Sequence, residues 1–220
     1  TVILACSRRQ VLLLKIKRSE KHIFTIGRLK ALKNMQNQNK EKDMETMHST
    51  TICAVKKDGV TVIAGDGQVT FSQSVILKSN AVKVKRIYND KVVIGFAGSV
   101  SDAFSLSEKF EKMLQKYSGN LMRSAVELAQ LWRNDVVRKL EAMMIAADRN
   151  NLFIISGTGE VIDPESGVCA IGSGGNYALA AARALFDIEG LGAEEIARRA
   201  MKIASELCVF TNDNLTVEVV

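Results

Sequence analysis

Two charged residues beside apolar stretches are the first candidates for chemistry in this 220-residue sequence. Asp66 follows the apolar run VTVIAG, so its carboxylate should be half buried and should need a partner. Lys83 lies in AVKVKR, whose alternation is typical of a short strand that can point the lysine inward. Only the combination of the two residues favours a functional role. Taken singly, Asp66 fits a turn residue and Lys83 a solvated lysine on an edge strand.

A glycine-rich segment, Gly172-Ser173-Gly174-Gly175, stands at a predicted strand-to-helix junction. Free backbone amides at such a junction can hold a phosphate. A dinucleotide fingerprint would need glycine in place of Tyr177, and a P-loop would need Lys-Ser or Lys-Thr after the glycines. Two other interpretations stay open: a closely packed turn, and a site in which the Ser173 hydroxyl supports chemistry at the end of a sheet.

The histidines and cysteines of this sequence are poorly placed for catalytic or metal sites. Both histidines, His22 and His48, lie in the first 49 residues, so a histidine triad or a multi-histidine metal site is not expected beyond them. The cysteines form no CxxC pair, which argues against a zinc ribbon or a disulfide scaffold and favours reduced thiols in the cytoplasm. They are Cys6, Cys53, Cys169 and Cys208.

The net charge of +6 is unevenly distributed along the chain. Residues 1–49 carry 11 basic and 4 acidic side chains, whereas residues 50–220 carry 19 and 20. The basic excess therefore lies in the first segment, and we do not expect a nucleic-acid partner. No apolar run approaches the roughly 18 to 20 residues that a membrane span needs, so we expect neither a membrane protein nor a membrane partner.

The pattern of polar and apolar residues also changes near residue 50. Residues 30–49 are polar and without apolar periodicity, so we expect residues 1–49 to be a disordered leader or a mis-assigned upstream extension. A targeting segment is the third alternative for them. Residues 50–220 are expected to form the functional domain.

Hydrophobic periodicity predicts strands and helices in two similar blocks after residue 50. The first block is a hairpin turning at Asp58-Gly59, a strand at 91–98, a helix capped at Ser101-Asp102 and stopped at Gly119, and a helix from Leu121 to about Ala147. The second is a hairpin at 151–163, a strand at 168–172, helices from about Tyr177 and over 193–207, and a closing strand in LTVEVV. This order does not match the strict alternation of a doubly wound sheet and favours two packed sheets with helices outside.

Several long motifs resemble the HslV (ClpQ) family, the proteasome-related peptidases of the two-part HslUV protease. They are TTI at Thr50, AGDGQVT from Ala64, VKVKRIYNDKVVIGFAGSVSDAF from Val82, LWR and RKLEAM between Leu131 and Met143, AIGSGGNYALAAARAL from Ala170, and CVFTND from Cys208. The resemblance covers residues 50–220 and implies an α+β fold, a four-layer αββα sandwich of the amino-terminal-nucleophile hydrolase type.

The resemblance also implies a set of site residues. Thr50 matches the family's amino-terminal threonine nucleophile, whose own α-amine acts as the base after cleavage before Thr50. An α-amine titrates near pH 7.7 to 8.0, which suits that role. Lys83 matches a lysine that lowers the amine pKa, and Asp66 the acid paired with it. Ser173 matches a serine near the amine, and Gly98 a glycine whose N–H stabilises the oxyanion.

Cation and partner expectations follow from the same resemblance. A monovalent cation, most simply Na⁺, would bind main-chain oxygens of Ser205, Cys208 and Thr211 at the end of the last helix. The chain would form a cytoplasmic double hexameric ring, and a separate HslU-type (ClpY) AAA+ ATPase hexamer would deliver unfolded proteins. No nucleotide is expected on this chain.

A non-catalytic ring subunit that keeps its leader is the alternative function. The joint presence of Thr50, Asp66, Lys83 and Ser173 argues against this scaffold, whereas a 49-residue leader argues weakly for it.

Overall fold

The computed structural model describes residues 47–48, 50–71, 74–98, 100–134 and 142–220. Met47–Val220 form one compact unit. Within the described residues the strands are β1 (Met47–His48), β2 (Thr51–Lys57), β3 (Val60–Gly65), β4 (Val69–Phe71), β5 (Val75–Lys78), β6 (Val84–Ile87), β7 (Val92–Ala97), β8 (Met143–Ala147), β9 (Leu152–Ser156), β10 (Val161–Ile162), β11 (Val168–Gly172) and β12 (Thr216–Val219). The helices are α1 (Val100–Lys116), α2 (Leu121–Asn134), α3 (Gly175–Phe186) and α4 (Ala193–Leu207).

Two antiparallel sheets make up the middle of the domain. One has the order β11-β2-β3-β12 and the other the order β10-β9-β8-β7-β6. Between them lies a fully buried apolar layer in which Ile52 and Ile63 of the first sheet meet Val93 and Ile145 of the second. The remaining described strands form a smaller, three-stranded sheet of order β1-β4-β5.

Helices cover the outer face of each large sheet. Phe110 of α1 and Leu128 of α2 pack on the five-stranded sheet, and Ile196 and Met201 of α4 pack on the four-stranded sheet together with α3. The result is the four-layer αββα sandwich expected for the amino-terminal-nucleophile hydrolase type. Strand β2 is apolar on both faces because Ile52 faces the other sheet while Cys53 faces the helices.

Most of the predicted elements are confirmed at nearly their predicted bounds. The hairpin at Asp58-Gly59, the second hairpin between β9 and β10, the helix at 193–207 and the closing strand are all present. The strands β4 and β5 were not predicted as a hairpin. Helix α1 begins at Val100, so Ser101 and Asp102 lie inside its first turn and do not precede it.

The predicted helix from Leu121 to about Ala147 was wrong in its second half. Helix α2 ends at Asn134, residues 135–141 lie outside the described part of the chain, and 143–147 form β8 between β7 and β9. The run MMIAA is buried after its first residue because a central strand is covered on both faces. Such a run carries no period-2 signal, and methionine and alanine both have high helix propensity.

No helix among the residues that the structure describes is long and apolar enough to cross a membrane.

Candidate active site

Thr50 lies immediately before β2, where the chain enters the middle of the four-stranded sheet. Thr50 as a whole residue is only 7% exposed. The Ser173 N–H, just past the end of β11, donates to the Thr50 carbonyl oxygen over 2.8 Å. Thr50 is therefore held through its main chain by the glycine-rich segment.

Gly172 allows this close approach between the two strands. Its φ is +89°, and a Cβ added there would lie 1.9 Å from the Thr50 carbonyl oxygen. A side chain at residue 172 would thus push directly against Thr50. The segment serves as a closely packed turn, as one interpretation of its sequence allowed.

Asp66 follows β3 and is fully buried. One carboxylate oxygen, Oδ1, accepts the Thr51 N–H over 2.7 Å and the Lys83 ammonium over 2.9 Å. The other oxygen accepts the Gln68 N–H over 2.9 Å. The predicted ion pair is therefore present, and it connects the start of β2 to the residue that precedes β6.

Burial dominates the electrostatics of the Lys83 ammonium, whose side chain is 9% exposed. Loss of water lowers its pKa below the ordinary 10.5, while the nearby Asp66 carboxylate acts in the opposite direction. The ammonium also donates to the Gln68 carbonyl oxygen. These two oxygens compensate a charge that would be costly if it were buried alone.

A cavity of about 490 Å³ opens beside Thr50 and Lys83. Its wall is mainly apolar, with Phe96 from β7 and Phe104 from α1. Phe104 occupies an apolar position of the predicted helix but is 67% exposed, because its ring faces this cavity rather than the core. The mainly apolar wall beside Thr50 suits apolar groups of a ligand.

Gly98 lines the same cavity at the end of β7. Its φ is +146°, and a Cβ there would lie 3.0 Å from the Ala142 Cβ. Only glycine adopts this conformation without strain. The structure thus brings Thr50, Lys83 and Gly98 to one cavity, with Asp66 behind the lysine.

Sequence reasoning missed the role of Thr51. Its hydroxyl lies 2.7 Å from that of Thr211 and accepts the Gly174 N–H over 2.8 Å. A fully buried hydroxyl at the start of an apolar strand was the available signal, because such a group needs a partner. Its partners come from 123 and 160 residues away, so their identity could not be inferred from local pattern.

The three predicted cation ligands lie around the end of α4. The Cys208 N–H donates to the Ala204 carbonyl oxygen, and the Thr211 N–H donates to the Cys208 carbonyl oxygen over 3.0 Å. The Ser205 hydroxyl bonds back to the Lys202 carbonyl oxygen. Carbonyl oxygens at the end of a helix can accept further partners, so the segment offers the hard oxygen ligands that a cation needs. The cation itself stays a prediction.

Comparison with known proteins finds relatives that all belong to one family of protease subunits. The family model described as "Proteasome subunit" matches residues 46–220. The ATP-dependent protease subunit HslV of Listeria innocua is 61% identical over 175 residues, which cover 78% of this chain and 98% of the relative. The subunit of the same name from Enterococcus faecalis is 59% identical over 174 residues, covering 78% and 96%.

Solved structures agree with these relatives. Eukaryotic HslV from Trypanosoma brucei superposes with a TM-score of 0.74 at 50% identity, covering 77% of this chain and 98% of that one. Thiobacillus denitrificans BPH superposes with a TM-score of 0.63 at 21% identity, covering 77% and 97%, and supports the fold alone.

Proposed function

We propose, from the premise that this chain belongs to the proteasome family, that Thr50 is the nucleophile with which it cleaves peptide bonds. The chain is the proteolytic subunit of an ATP-dependent protease, and it is a threonine peptidase of the amino-terminal-nucleophile type. Family membership does not by itself identify the residues that carry the reaction. Their assignment rests on the arrangement around Thr50.

The observation that carries the proposal is the buried Lys83–Asp66 pair. Lys83 lines the cavity with Thr50, while Asp66 accepts both the Lys83 ammonium and the N–H of the next residue, Thr51. A positive charge at this position stabilises the neutral form of a nearby amine and the negative charge that develops on an attacking hydroxyl. A scaffold subunit has no use for a buried charge facing an open cavity.

The reaction would begin once the Thr50 amine is free. The amine takes the proton of the Thr50 hydroxyl as its oxygen attacks the substrate carbonyl carbon. The Gly98 N–H donates to the resulting oxyanion, and the intermediate expels the amine half of the substrate with that proton. Water then hydrolyses the ester on Thr50 and releases the second product.

Cleavage between Ser49 and Thr50 is the activation step in this proposal. In the structure β1, just upstream of that bond, pairs antiparallel with β4, with Met47 opposite Phe71 and His48 opposite Thr70. An internal threonine has no α-amine and hence no base of its own.

We also propose an assembly, a cellular location and a bound cation for this subunit. The subunits would form a cytoplasmic double hexameric ring that receives unfolded proteins from an HslU-type ATPase hexamer. A monovalent cation such as Na⁺ would be held by the main-chain oxygens of Ser205, Cys208 and Thr211. Its charge would stabilise the segment that carries Thr211, the partner of Thr51.

Intact-mass measurement on the native protein, combined with hydrolysis of a fluorogenic peptide, tests the proposal. We expect a chain that begins at Thr50 and cleaves the peptide. A protein that retains residues before Thr50 and is inactive would support the scaffold alternative. An active protein with its leader intact would exclude the Thr50 amine as the base.

A further inference from the structure

The segment between α4 and β12 contacts the candidate active site through the side chain of Asn212. The Asn212 Oδ1 accepts the Gly67 N–H over 3.0 Å. The Asn212 Nδ2 donates to the Ser79 carbonyl oxygen over 2.8 Å. Gly67 follows Asp66 directly, and Ser79 lies four residues before Lys83. One amide thus binds the two stretches of chain that carry the ion pair.

These two stretches cross in direct contact. The Ala81 N–H donates to the Gly67 carbonyl oxygen over 2.9 Å. A Cβ on Gly67 would lie 2.4 Å from the Ser79 carbonyl oxygen. Because so little space separates the two stretches, we expect a change at the crossing to displace Asp66 relative to Lys83. Asn212 lies at this crossing on the side of α4 and β12.

An amide is suited to this position because it both accepts and donates. An aspartate could accept the Gly67 N–H but would present a second acceptor to the Ser79 carbonyl oxygen. An alanine would leave the buried Gly67 N–H without this partner. The pairing therefore depends on the side-chain chemistry of Asn212 and not only on its size.

On the basis of the function proposed above, we propose that Asn212 is a positioning residue that fixes Asp66 and Lys83 relative to Thr50. Asn212 acts through Gly67 and Ser79 and does not itself touch the substrate. Its loss should lower the rate of the chemical step more than it weakens substrate binding, because small misplacements of catalytic groups act on turnover.

Asn214 provides a matched control. Its Nδ2 also donates to the Ser79 carbonyl oxygen, over 2.9 Å, but its side chain has no bond to Gly67. The two residues share a loop and an acceptor. A general effect of weakening this loop should appear equally in both variants, whereas a positioning effect should appear only at Asn212.

The experiment compares Asn212→Ala, Asn212→Asp and Asn214→Ala with the unmodified protein. Ring assembly is checked by size-exclusion chromatography, and the amino terminus by intact mass. Only chains that begin at Thr50 are assayed with a fluorogenic peptide. We expect Asn212→Ala to lower kcat by about 10- to 100-fold with KM within about threefold. Asn212→Asp should also lower kcat, and Asn214→Ala should stay within about twofold.

The acid limb of the kcat/KM profile gives a second measurement. The charged residues that line the cavity beside Thr50 are Lys78, Lys83 and Lys85, and Asp66 is bound to Lys83. Asn212→Ala changes none of these charges, but a displaced Lys83 would lower the amine pKa less. We therefore expect the acid limb to move to higher pH in Asn212→Ala and to stay in place in Asn214→Ala.

An assembled Asn212→Ala protein with normal kcat and an unshifted acid limb would overturn the role of Asn212, as would equal losses in Asn214→Ala. If Asn212→Ala does not assemble, normal turnover by Asn212→Asp would likewise overturn the role of Asn212. A parallel Thr50→Ala variant separates the two proposals. If it stays active, the nucleophile is wrong, whereas an inactive Thr50→Ala beside a normal Asn212→Ala removes only the positioning role.

Discussion

The Thr50 hydroxyl is the single group whose removal should abolish chemistry while leaving assembly intact. Thr50→Ala keeps the main-chain bond between the Thr50 carbonyl and the Ser173 N–H. We expect peptide hydrolysis to fall by at least about 10⁴-fold, as for other lost nucleophiles. Thr216→Ala, a threonine change in β12 of the same sheet, is the control. The assay is fluorogenic-peptide cleavage by purified rings, and near-normal cleavage by Thr50→Ala would place the nucleophile elsewhere.

Lys83 should set an alkaline limit to activity. Its ammonium must stay charged to act on the Thr50 amine, so activity falls as pH rises through the lysine pKa. Because burial lowers that pKa, the alkaline limb of kcat/KM should lie below pH 10.5. Lys83→Arg should move the limb upward in whatever activity remains, because a guanidinium stays protonated.

Exposed Lys91 supplies the control for this measurement, since Lys91→Arg should not move the limb. Assembly is monitored at each pH so that loss of rings is not mistaken for titration. A limb at or above pH 10.5, or one unchanged in Lys83→Arg, would contradict the role of Lys83.

Among the site residues, the sequence predicted those whose role can be inferred from their neighbours in the chain. Asp66 after an apolar strand needs a partner, and the family resemblance indicated Lys83 as that partner. Lys83 itself lies just before β6 and not within the strand that its alternating pattern predicted. Thr51 and Asn212 were not predicted, because their bonds depend on which distant strands and loops meet. Ser173 was expected to act through its hydroxyl, and the structure connects it to Thr50 through its N–H.

The end of β11 is the element whose geometry Thr50 depends on most directly. Gly172→Ala should impair activity and stability because its Cβ would lie 1.9 Å from the Thr50 carbonyl oxygen. Gly190→Ala is a close control, since Gly190 has a similar φ of +79° but open space around it. Both variants carry the cost of a left-handed alanine, about 1–2 kcal/mol. Only Gly172→Ala adds the collision.

We expect Gly172→Ala to lose at least about tenfold in kcat and to unfold at a lower temperature than Gly190→Ala. Thermal unfolding and peptide hydrolysis are measured on both. If the two variants behaved alike, the contact between β11 and Thr50 would not be important for the site.

Elements with a clear period or a turn signal were predictable, whereas β8 was not. Asp58-Gly59 marks a tight hairpin turn, and α4 has a polar outer face. Strand β8 lies in the middle of its sheet and shows neither signal. The β4–β5 hairpin was also missed, because its strands are only three and four residues long and carry little periodic signal.

For the whole molecule, the proposed partner leads to a prediction about energy use. The glycine-rich segment at 172–175 lacks the lysine of a P-loop, so ATP should act through a separate ATPase. We expect the matching ATPase with ATP to raise peptide hydrolysis severalfold. Degradation of an unfolded protein should require both the ATPase and ATP.

Controls for this assay omit ATP, omit the ATPase, or use Thr50→Ala. Protein degradation measured by gel and peptide hydrolysis measured by fluorescence should both respond. If the peptidase degrades proteins equally well without the ATPase, the proposed division of labour is wrong.

The contacts around Thr50 described above come from the chain at and after that residue: Ser173 binds its carbonyl and Asp66 binds the Thr51 N–H. Cleavage before Thr50 would break none of these bonds, so they would hold Thr50 in the same way before and after activation, whereas β1 would be separated from β2. Hydrolysis of a peptide bond is not reversed in water, so an activated subunit would not return to its precursor. The number of processed subunits in a cell would then depend on how many have been cleaved since synthesis, while the ATPase and ATP would set how fast those subunits work.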